Sequence, residues 1–75
     1  MTLQVKIIGP LIYAVGFSEK AVEAPEGTTS ESLLALIGVP KDRPKIVTRN
    51  GRAIAAGEVL ADGDRIAVSP IYSGG

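Results

Sequence analysis

The sequence predicts an α+β fold in which a mixed sheet of four or five strands wraps around one main helix. The first segment alternates apolar and polar residues with the period of a strand, and an apolar run near the middle follows helical spacing. Further on, an Asn-Gly pair separates two short segments of strand-like composition. With 75 residues and 45% hydrophobic content, the chain has the size and composition of one compact domain.

The N-terminal part is predicted to form a hairpin. Residues 3–8 place Leu3, Val5 and Ile7 on one side of a strand that ends at Gly9. After an apolar connection over residues 11–17, a second strand is predicted at residues 19–24.

The main helix is predicted to begin at a capping box. Thr28 is followed three residues later by Glu31, a spacing that satisfies two free amides at a helix start. Leu33 and Leu36 then recur at helical spacing, and Gly38 supplies the left-handed stop.

The C-terminal half is predicted to add a second hairpin and a final strand. Residues 45–49 and 52–54 form the hairpin around Asn50 and Gly51, whose residue types tolerate positive φ. The final strand covers residues 65–69 and follows a turn that contains Asp62 and Asp64. We interpret these two carboxylates as turn formers and not as a metal site.

The order hairpin, helix, hairpin, final strand is the plan of a ubiquitin-like β-grasp domain. In such a domain the first and last strands are parallel neighbours, and the crossover between them runs through the helix. We therefore predict a β-grasp domain over residues 1–69 and an extended tail over residues 70–75.

Composition excludes several function classes. Eight Lys and Arg balance eight Asp and Glu, which argues against general binding to nucleic acid or to an anionic membrane. The chain has no Cys and no His, so it lacks the commonest nucleophile, neutral-pH base and metal ligands of enzymes. Its apolar stretches are too short to span a bilayer and it shows no signal peptide. These features predict a cytoplasmic protein that is not itself an enzyme and that binds no metal.

The basic residues are concentrated in one part of the sequence. Five of the eight fall in residues 41–52, namely Lys41, Arg43, Lys45, Arg49 and Arg52. This pattern is typical of a solvated loop and strand face, and the alternative is a docking patch for an acidic partner.

The sequence ends in Ser73, Gly74 and Gly75, directly after the predicted last strand. Glycine lets a chain adopt conformations closed to other residues and approach another backbone closely, so we predict that Gly75 carries the reactive carboxyl group and Gly74 threads it. A frayed terminus is the alternative. Pro70 is expected to end sheet pairing, because it has no amide donor.

Residues 70–73, from Pro70 up to the glycines, are candidate partner contacts. Ile71 and Tyr72 are predicted to anchor in a partner's channel together with Ser73, and the alternative is that they fold back onto the domain. A second candidate docking surface is Ile12, Tyr13 and Phe17, because so small a domain cannot easily bury all three side chains.

In several segments the chain resembles the small sulfur carriers of the MoaD/ThiS group. The match covers nearly the whole chain, and its strongest segments are residues 24–29, 50–51, 60–66 and 69–75. The first connection, residues 8–16, and Pro70 resemble the small, sulfur-carrying subunit of molybdopterin synthase. The chain departs from that branch at Ile71, where a second proline is usual, and at Ile12 and Tyr13, which replace a charged pair.

The resemblance implies a chemistry that uses partner enzymes. A ubiquitin-activating-type adenylyltransferase would join the Gly75 carboxyl group to AMP from ATP, and a sulfur donor such as a persulfide protein would convert it to a thiocarboxylate. A larger acceptor subunit of the molybdopterin synthase type would then receive the sulfur. The chain itself would bind no cofactor stably, because ATP is used by the activating partner.

Other functions remain open at this point. The sulfur could serve thiazole synthesis or another sulfur-transfer pathway instead of molybdopterin. Two alternatives of a different class are a ubiquitin-like protein modifier, whose tail forms an isopeptide with a lysine, and a β-grasp interaction module in which the glycines have no role.

Overall fold

The structure is a computed structural model that describes residues 1–71. Within these residues it shows a five-stranded mixed sheet and two helices that contribute side chains to one core. The elements are β1 (Thr2–Ile7), α1 (Leu11–Val15), β2 (Glu19–Glu23), α2 (Ser30–Ile37), β3 (Lys45–Arg49), β4 (Arg52–Ala53) and β5 (Arg65–Pro70). The strands lie in the order β2-β1-β5-β3-β4, which confirms the predicted ubiquitin-like β-grasp fold.

The last strand occupies the centre of the sheet. β5 pairs in parallel with β1, as predicted, from Gln4 opposite Arg65 to Ile7 opposite Val68. On its other side β5 pairs antiparallel with β3. As a result, the C-terminal ends of β1 and β5 and the start of β3 lie at the same end of the sheet, which we call the tail end.

The core lies between one face of the sheet and the helices. Alternate residues of the two central strands point into it, and the side chains that are almost fully buried there are Leu3, Val5, Ile7, Ile66 and Val68. Leu33 of α2 and Leu11 of α1 are fully buried against them. The sheet is therefore apolar on this face. The helices do not cover its other face, which we call the open face.

The main helix begins one residue later than predicted. Its N-cap is Thr29, whose hydroxyl accepts from the Ser32 N–H at 3.1 Å, while the Ser32 hydroxyl accepts from the Thr29 N–H at 2.8 Å. Thr28 is unsuited to be the cap because its hydroxyl donates to the Pro25 carbonyl and its own carbonyl accepts from the Leu60 N–H. The predicted pairing of Thr28 with Glu31 is wrong.

The buried stripe of α2 also differs from the prediction. Leu33 and Leu34 are buried, whereas Leu36 is 57% exposed. The buried side of α2 is narrower than the spacing of its leucines predicts, because only the side of the helix that faces β1 and β5 contacts the sheet.

The apolar connection between β1 and β2 contains a helix that the sequence analysis did not predict. Leu11 is its buried anchor, and Gly16 ends it with φ of 86° and an N–H that donates to the Ile12 carbonyl at 2.8 Å. Val15 is half-buried against the core. Leu11 and Val15 therefore both contribute to the core.

The other strand boundaries are close to the predicted ones. Asn50 and Gly51 both have positive φ, 52° and 88°, as the predicted hairpin turn requires. β1 and β2 each end one residue earlier than predicted, and β4 also ends one residue early. β5 continues through Pro70, which pairs with Lys45, so sheet pairing ends one residue later than predicted. Neither helix of residues 1–71 is long and apolar enough to cross a membrane.

Candidate functional site

The tail begins at the tail end of the sheet, directly from its central strand. Pro70 is the last residue of β5, and the N–H of Ile71 donates to the Pro44 carbonyl at 3.3 Å. The predicted contacts Tyr72 and Ser73 and the predicted reactive residues Gly74 and Gly75 lie outside the described residues. Their roles therefore stay predictions.

An exposed apolar surface surrounds this exit. Ile8, Ile46 and Ile71 are 42%, 43% and 50% exposed, respectively. Ser69 pairs with Ile46 on one side, and on the other side the Ile8 N–H donates to the Val68 carbonyl at 2.9 Å. Side chains alternate along a strand, so Ser69 and Ile46 lie side by side on the open face of the sheet, and Ile8, directly after β1, continues this row. We call Ile8, Ile46, Ser69 and Ile71 the tail-side patch.

Three members of the tail-side patch, Ile8, Ile46 and Ser69, were not among the residues predicted for the site. The sequence does carry a signal for the two isoleucines. Ile7 and Ile8 are neighbours, as are Ile46 and Val47, and in a strand only one residue of such a pair can face the core. Alternation therefore identifies the outward partner once the inward one is known.

The side chain of Lys45 fixes the loop beside the exit. Its Nζ donates to the carbonyls of Pro40 at 3.0 Å, Arg43 at 2.9 Å and Lys41 at 3.4 Å. This loop also carries the Pro44 carbonyl that accepts from Ile71. The three hydrogen bonds thus hold the point from which the tail leaves the domain.

The structure distributes the basic cluster of the sequence over different places. Lys45 is used in the loop, and Arg49 forms an ion pair with Asp64 across 2.7 Å. Arg52 lies at the other end of β3, because the hairpin pairs it with Arg49. Lys41 and Arg43 are exposed on the loop beside the tail exit. The cluster is therefore not one solvated face, and its first three members, Lys41, Arg43 and Lys45, lie near the site.

Asp64 joins three parts of the chain at the end of the sheet opposite the tail. Its carboxylate accepts from the Ala61 N–H at 2.7 Å, from Arg49 Nε at 2.7 Å and from Asn50 Nδ2 at 3.3 Å. Burial by itself raises the pKa of Asp64, but the hydrogen bonds from Ala61 and Asn50 and the Arg49 charge outweigh it and lower the pKa below its ordinary value. Asp62 accepts from the Thr2 N–H at 2.7 Å. Both carboxylates shape this turn, as predicted.

The predicted docking residues of the first connection are exposed to different extents. Tyr13 is 87% exposed on α1, which follows β1 at the tail end. Ile12 and Phe17 are half-buried and pack against the core, and Lys20 Nζ lies 5.5 Å from the centre of the Phe17 ring. Tyr13 is thus the member of this group that is best placed to reach a partner.

Comparison with known proteins identifies the family. The model of the ThiS family matches residues 5–75, which is nearly the whole chain. The chain belongs to the ThiS family. A search of curated proteins gave no match to this ThiS-family chain.

Solved structures similar to this ThiS-family chain include modifiers and molybdopterin proteins. The small archaeal modifier protein 1 of Haloferax volcanii is 29% identical over 100% of both chains, with a TM-score of 0.78. A putative molybdopterin converting factor subunit 1 from Pyrococcus furiosus is 26% identical, covering 93% of this chain and 97% of the other, with a TM-score of 0.78. The predicted resemblance to the MoaD/ThiS group is confirmed.

A third similar structure shows the same fold in a protein–protein complex. It is the protein–protein complex of subunits 1 and 2 of the molybdopterin-converting factor from Helicobacter pylori 26695, and it matches with 22% identity, 100% coverage of both chains and a TM-score of 0.68. At this identity the match concerns the fold alone. Together, the family and these structures describe a sulfur carrier of the ThiS/MoaD type or a ubiquitin-like modifier.

Proposed function

We propose that this protein is a sulfur carrier that is adenylated at Gly75, converted there to a thiocarboxylate, and used as a sulfur source in molybdopterin biosynthesis. The observation that carries the proposal is the family match through residue 75, which includes Gly74 and Gly75. The similarity to the Pyrococcus furiosus protein favours the molybdopterin pathway over thiazole synthesis or another sulfur-transfer pathway. The chain acts as a subunit or co-substrate in the cytoplasm and not as an enzyme.

The chemistry requires partners because a carboxylate is a poor acyl electrophile. An α-carboxyl group has a pKa of about 3.3–3.7 and is ionised at neutral pH. In the activating adenylyltransferase, the Gly75 carboxylate attacks the α-phosphorus of ATP and pyrophosphate leaves. A donor persulfide then attacks the acyl carbon and AMP leaves, and a thiol cleaves the resulting S–S bond to release the thiocarboxylate. ATP is therefore a substrate of the partner and not a cofactor of this chain.

The fold suits a reaction performed inside another protein. Pro70 is paired in β5, and the five residues after it, 71–75, reach about 17 Å when extended, which is long enough to enter a buried site. Glycine at the last two positions keeps the acyl carbon accessible to a nucleophile. Ile71, Tyr72 and Ser73 would line the entrance of the partner's channel.

The partner surfaces of the domain are the tail-side patch and Tyr13. Both lie at the tail end of the sheet, so a partner that takes the tail can cover them at the same time. Ile12 and Phe17 support this surface from beneath, since they pack on the core. We propose that a larger acceptor subunit of the molybdopterin synthase type and the adenylyltransferase use this surface in turn, because one tail cannot occupy two channels.

The experiment that tests the carrier function is intact mass spectrometry. The full-length chain is incubated with ATP, a cognate adenylyltransferase and a persulfide donor. We expect a gain in mass equal to the exchange of one oxygen for one sulfur. An unchanged mass, under conditions in which the same enzyme loads a known carrier, would contradict the proposal.

The tail-side patch can be tested separately from the tail. We expect Ile46→Asp to reduce kcat/KM for adenylation about tenfold to hundredfold, because it places a charge in the apolar centre of the interface. Val59→Asp is the matched control, since Val59 is exposed to a similar extent outside the patch, and we expect it to change kcat/KM less than about twofold. Equal effects of the two variants in a pyrophosphate-release assay would show that the patch is not a docking surface.

The protein-modifier function is the second candidate. The 29% identity to small archaeal modifier protein 1 over the full length of both chains favours it. A modifier would use the same adenylate but transfer the Gly75 acyl group to a lysine, with AMP as leaving group. Its products are protein conjugates of higher mass in cell extract, which are absent if the chain serves only as a sulfur carrier.

A further inference from the structure

The strand β2 forms one edge of the sheet, and among residues 1–71 no second strand pairs with its outward backbone groups. Hydrogen bonds run from the Ile7 N–H to the Ser18 carbonyl and from the Ala24 N–H to the Met1 carbonyl. In an antiparallel ladder the bonded pairs alternate, so Lys20 and Val22 also pair with β1. The backbone groups of Glu19, Ala21 and Glu23 therefore point away from the sheet.

A groove lined by both apolar and charged side chains runs beside this edge on the helix side. It has a volume of about 360 Å³ and is lined by Val15, Phe17, Val22, Leu36 and Ile37, with charged residues at its rim. Leu36 is exposed in it although it lies on the main helix. Both groove and edge are built on regular elements, β2 and α2.

The other face of β2 carries two glutamates, of which Glu19 lies opposite Lys6 of β1 and Glu23 accepts from the Thr2 hydroxyl. Glu19, Ala21 and Glu23 alternate with Lys20 and Val22, so their side chains lie on the open face of the sheet. A second copy of this strand is a poor partner, because antiparallel pairing centred on Ala21 would place Glu19 of one copy opposite Glu23 of the other. Basic side chains would be favourable at the same positions.

We propose that β2 is a binding site for an extended segment of a partner protein in which apolar and basic residues alternate. The segment adds to the sheet as a further strand through the outward groups of Glu19, Ala21 and Glu23. Its apolar side chains enter the groove over Leu36 and Val22, and its basic side chains lie beside the two glutamates. This inference does not depend on the proposed sulfur chemistry.

The site is compatible with simultaneous use of the tail. β1 lies between β2 and β5, so the centre of β2 is about 10 Å from that of β5 across the sheet. The tail-side patch lies at the strand ends and is not part of the groove. A partner on β2 could therefore hold the domain while the tail reacts elsewhere.

The test uses the full chain and a synthetic peptide of alternating lysine and valine, with a peptide of the same composition in block order as control. Amide hydrogen exchange is followed by NMR. We expect the alternating peptide to slow exchange at Ala21 and Glu23, whose N–H groups point outward. Exchange at Lys20 and Val22 should change little, since those N–H groups already pair with β1.

Two variants distinguish binding in the groove from nonspecific electrostatic attraction. We expect Leu36→Ser to weaken binding of the alternating peptide about tenfold, because it removes an apolar contact. Val59→Ser, which changes an equally exposed residue elsewhere, should weaken it less than about twofold. Equal binding of the two peptides, unchanged exchange at Ala21, or equal effects of the two variants would each overturn the proposal.

Discussion

Deletion of Gly74 and Gly75 is expected to abolish sulfur loading completely and to leave the stability of the domain unchanged. The proposed reaction takes place on the Gly75 carboxyl group, and without both glycines the new terminus is too bulky and too short for the adenylation site. The core and the sheet lie within residues 1–71, so the free energy of unfolding should not change. Intact mass after incubation with the loading enzymes and urea unfolding measure the two effects.

Val59→Ser is the control for this deletion. It changes an exposed side chain outside the tail and outside the tail-side patch, and we expect it to be loaded at close to the rate of the unmodified chain. Partner binding that persists without the glycines, together with unaffected cellular function, would favour the interaction module over carrier and modifier. Loading of the truncated chain would show that Gly75 is not the reacting residue.

Asp64→Asn is expected to destabilise the domain by about 2 kcal/mol at neutral pH, less than for a fully buried ion pair. The carboxylate is buried and accepts from Ala61, Asn50 and Arg49, and its neutralisation leaves the partly buried Arg49 without its close ion-pair partner. Removing one member of such a pair costs about 3–5 kcal/mol when the pair is fully buried, and Arg49 is partly exposed to water. Urea unfolding of both proteins at neutral pH measures the difference.

The loss of stability caused by Asp64→Asn should become smaller as the pH falls. The pKa of Asp64 is lowered in the folded state, so the folded protein binds a proton less readily than the unfolded chain. The stabilisation by Asp64 is therefore complete above about pH 5 and disappears as the pH falls through the lowered pKa. We expect the free energies of unfolding of the unmodified protein and of Asp64→Asn to converge as the pH falls.

Asp62→Asn is the control in the same turn. Its carboxylate accepts a backbone hydrogen bond from Thr2 at an exposed position, and we expect a loss of about 1 kcal/mol or less. An Asp64→Asn variant that is no less stable than Asp62→Asn would contradict the role assigned to the ion pair. A difference in the free energy of unfolding between the unmodified protein and Asp64→Asn that stays constant as the pH is lowered would contradict it as well.

Local patterns were sufficient to predict most of the fold. Alternation located β1, Asn50 and Gly51 located the central hairpin, and the order of elements led to the parallel pairing of β1 with β5. Each of these features depends on neighbours in sequence or on connection rules, so one sequence contains the necessary information.

The features that were missed depend on tertiary contacts. The segment of α1 shows no full helical period, and it is helical because Leu11 is anchored in the core. Thr28 fits a capping box locally but is engaged by Leu60, which is distant in sequence. Ile46 joined the site only when β3 was placed beside β5 at the tail end. In each case packing between distant segments decided the outcome.

The central position of β5 determines how the domain responds to mechanical load. A partner that draws the tail into a channel pulls along the axis of β5, which pairs with β1 on one side and β3 on the other. The pull therefore shears the hydrogen bonds of both ladders together instead of opening them one at a time, as it would if the tail left from an edge strand. We therefore expect that partner enzymes can repeatedly bind, pull and release the tail without unfolding the domain.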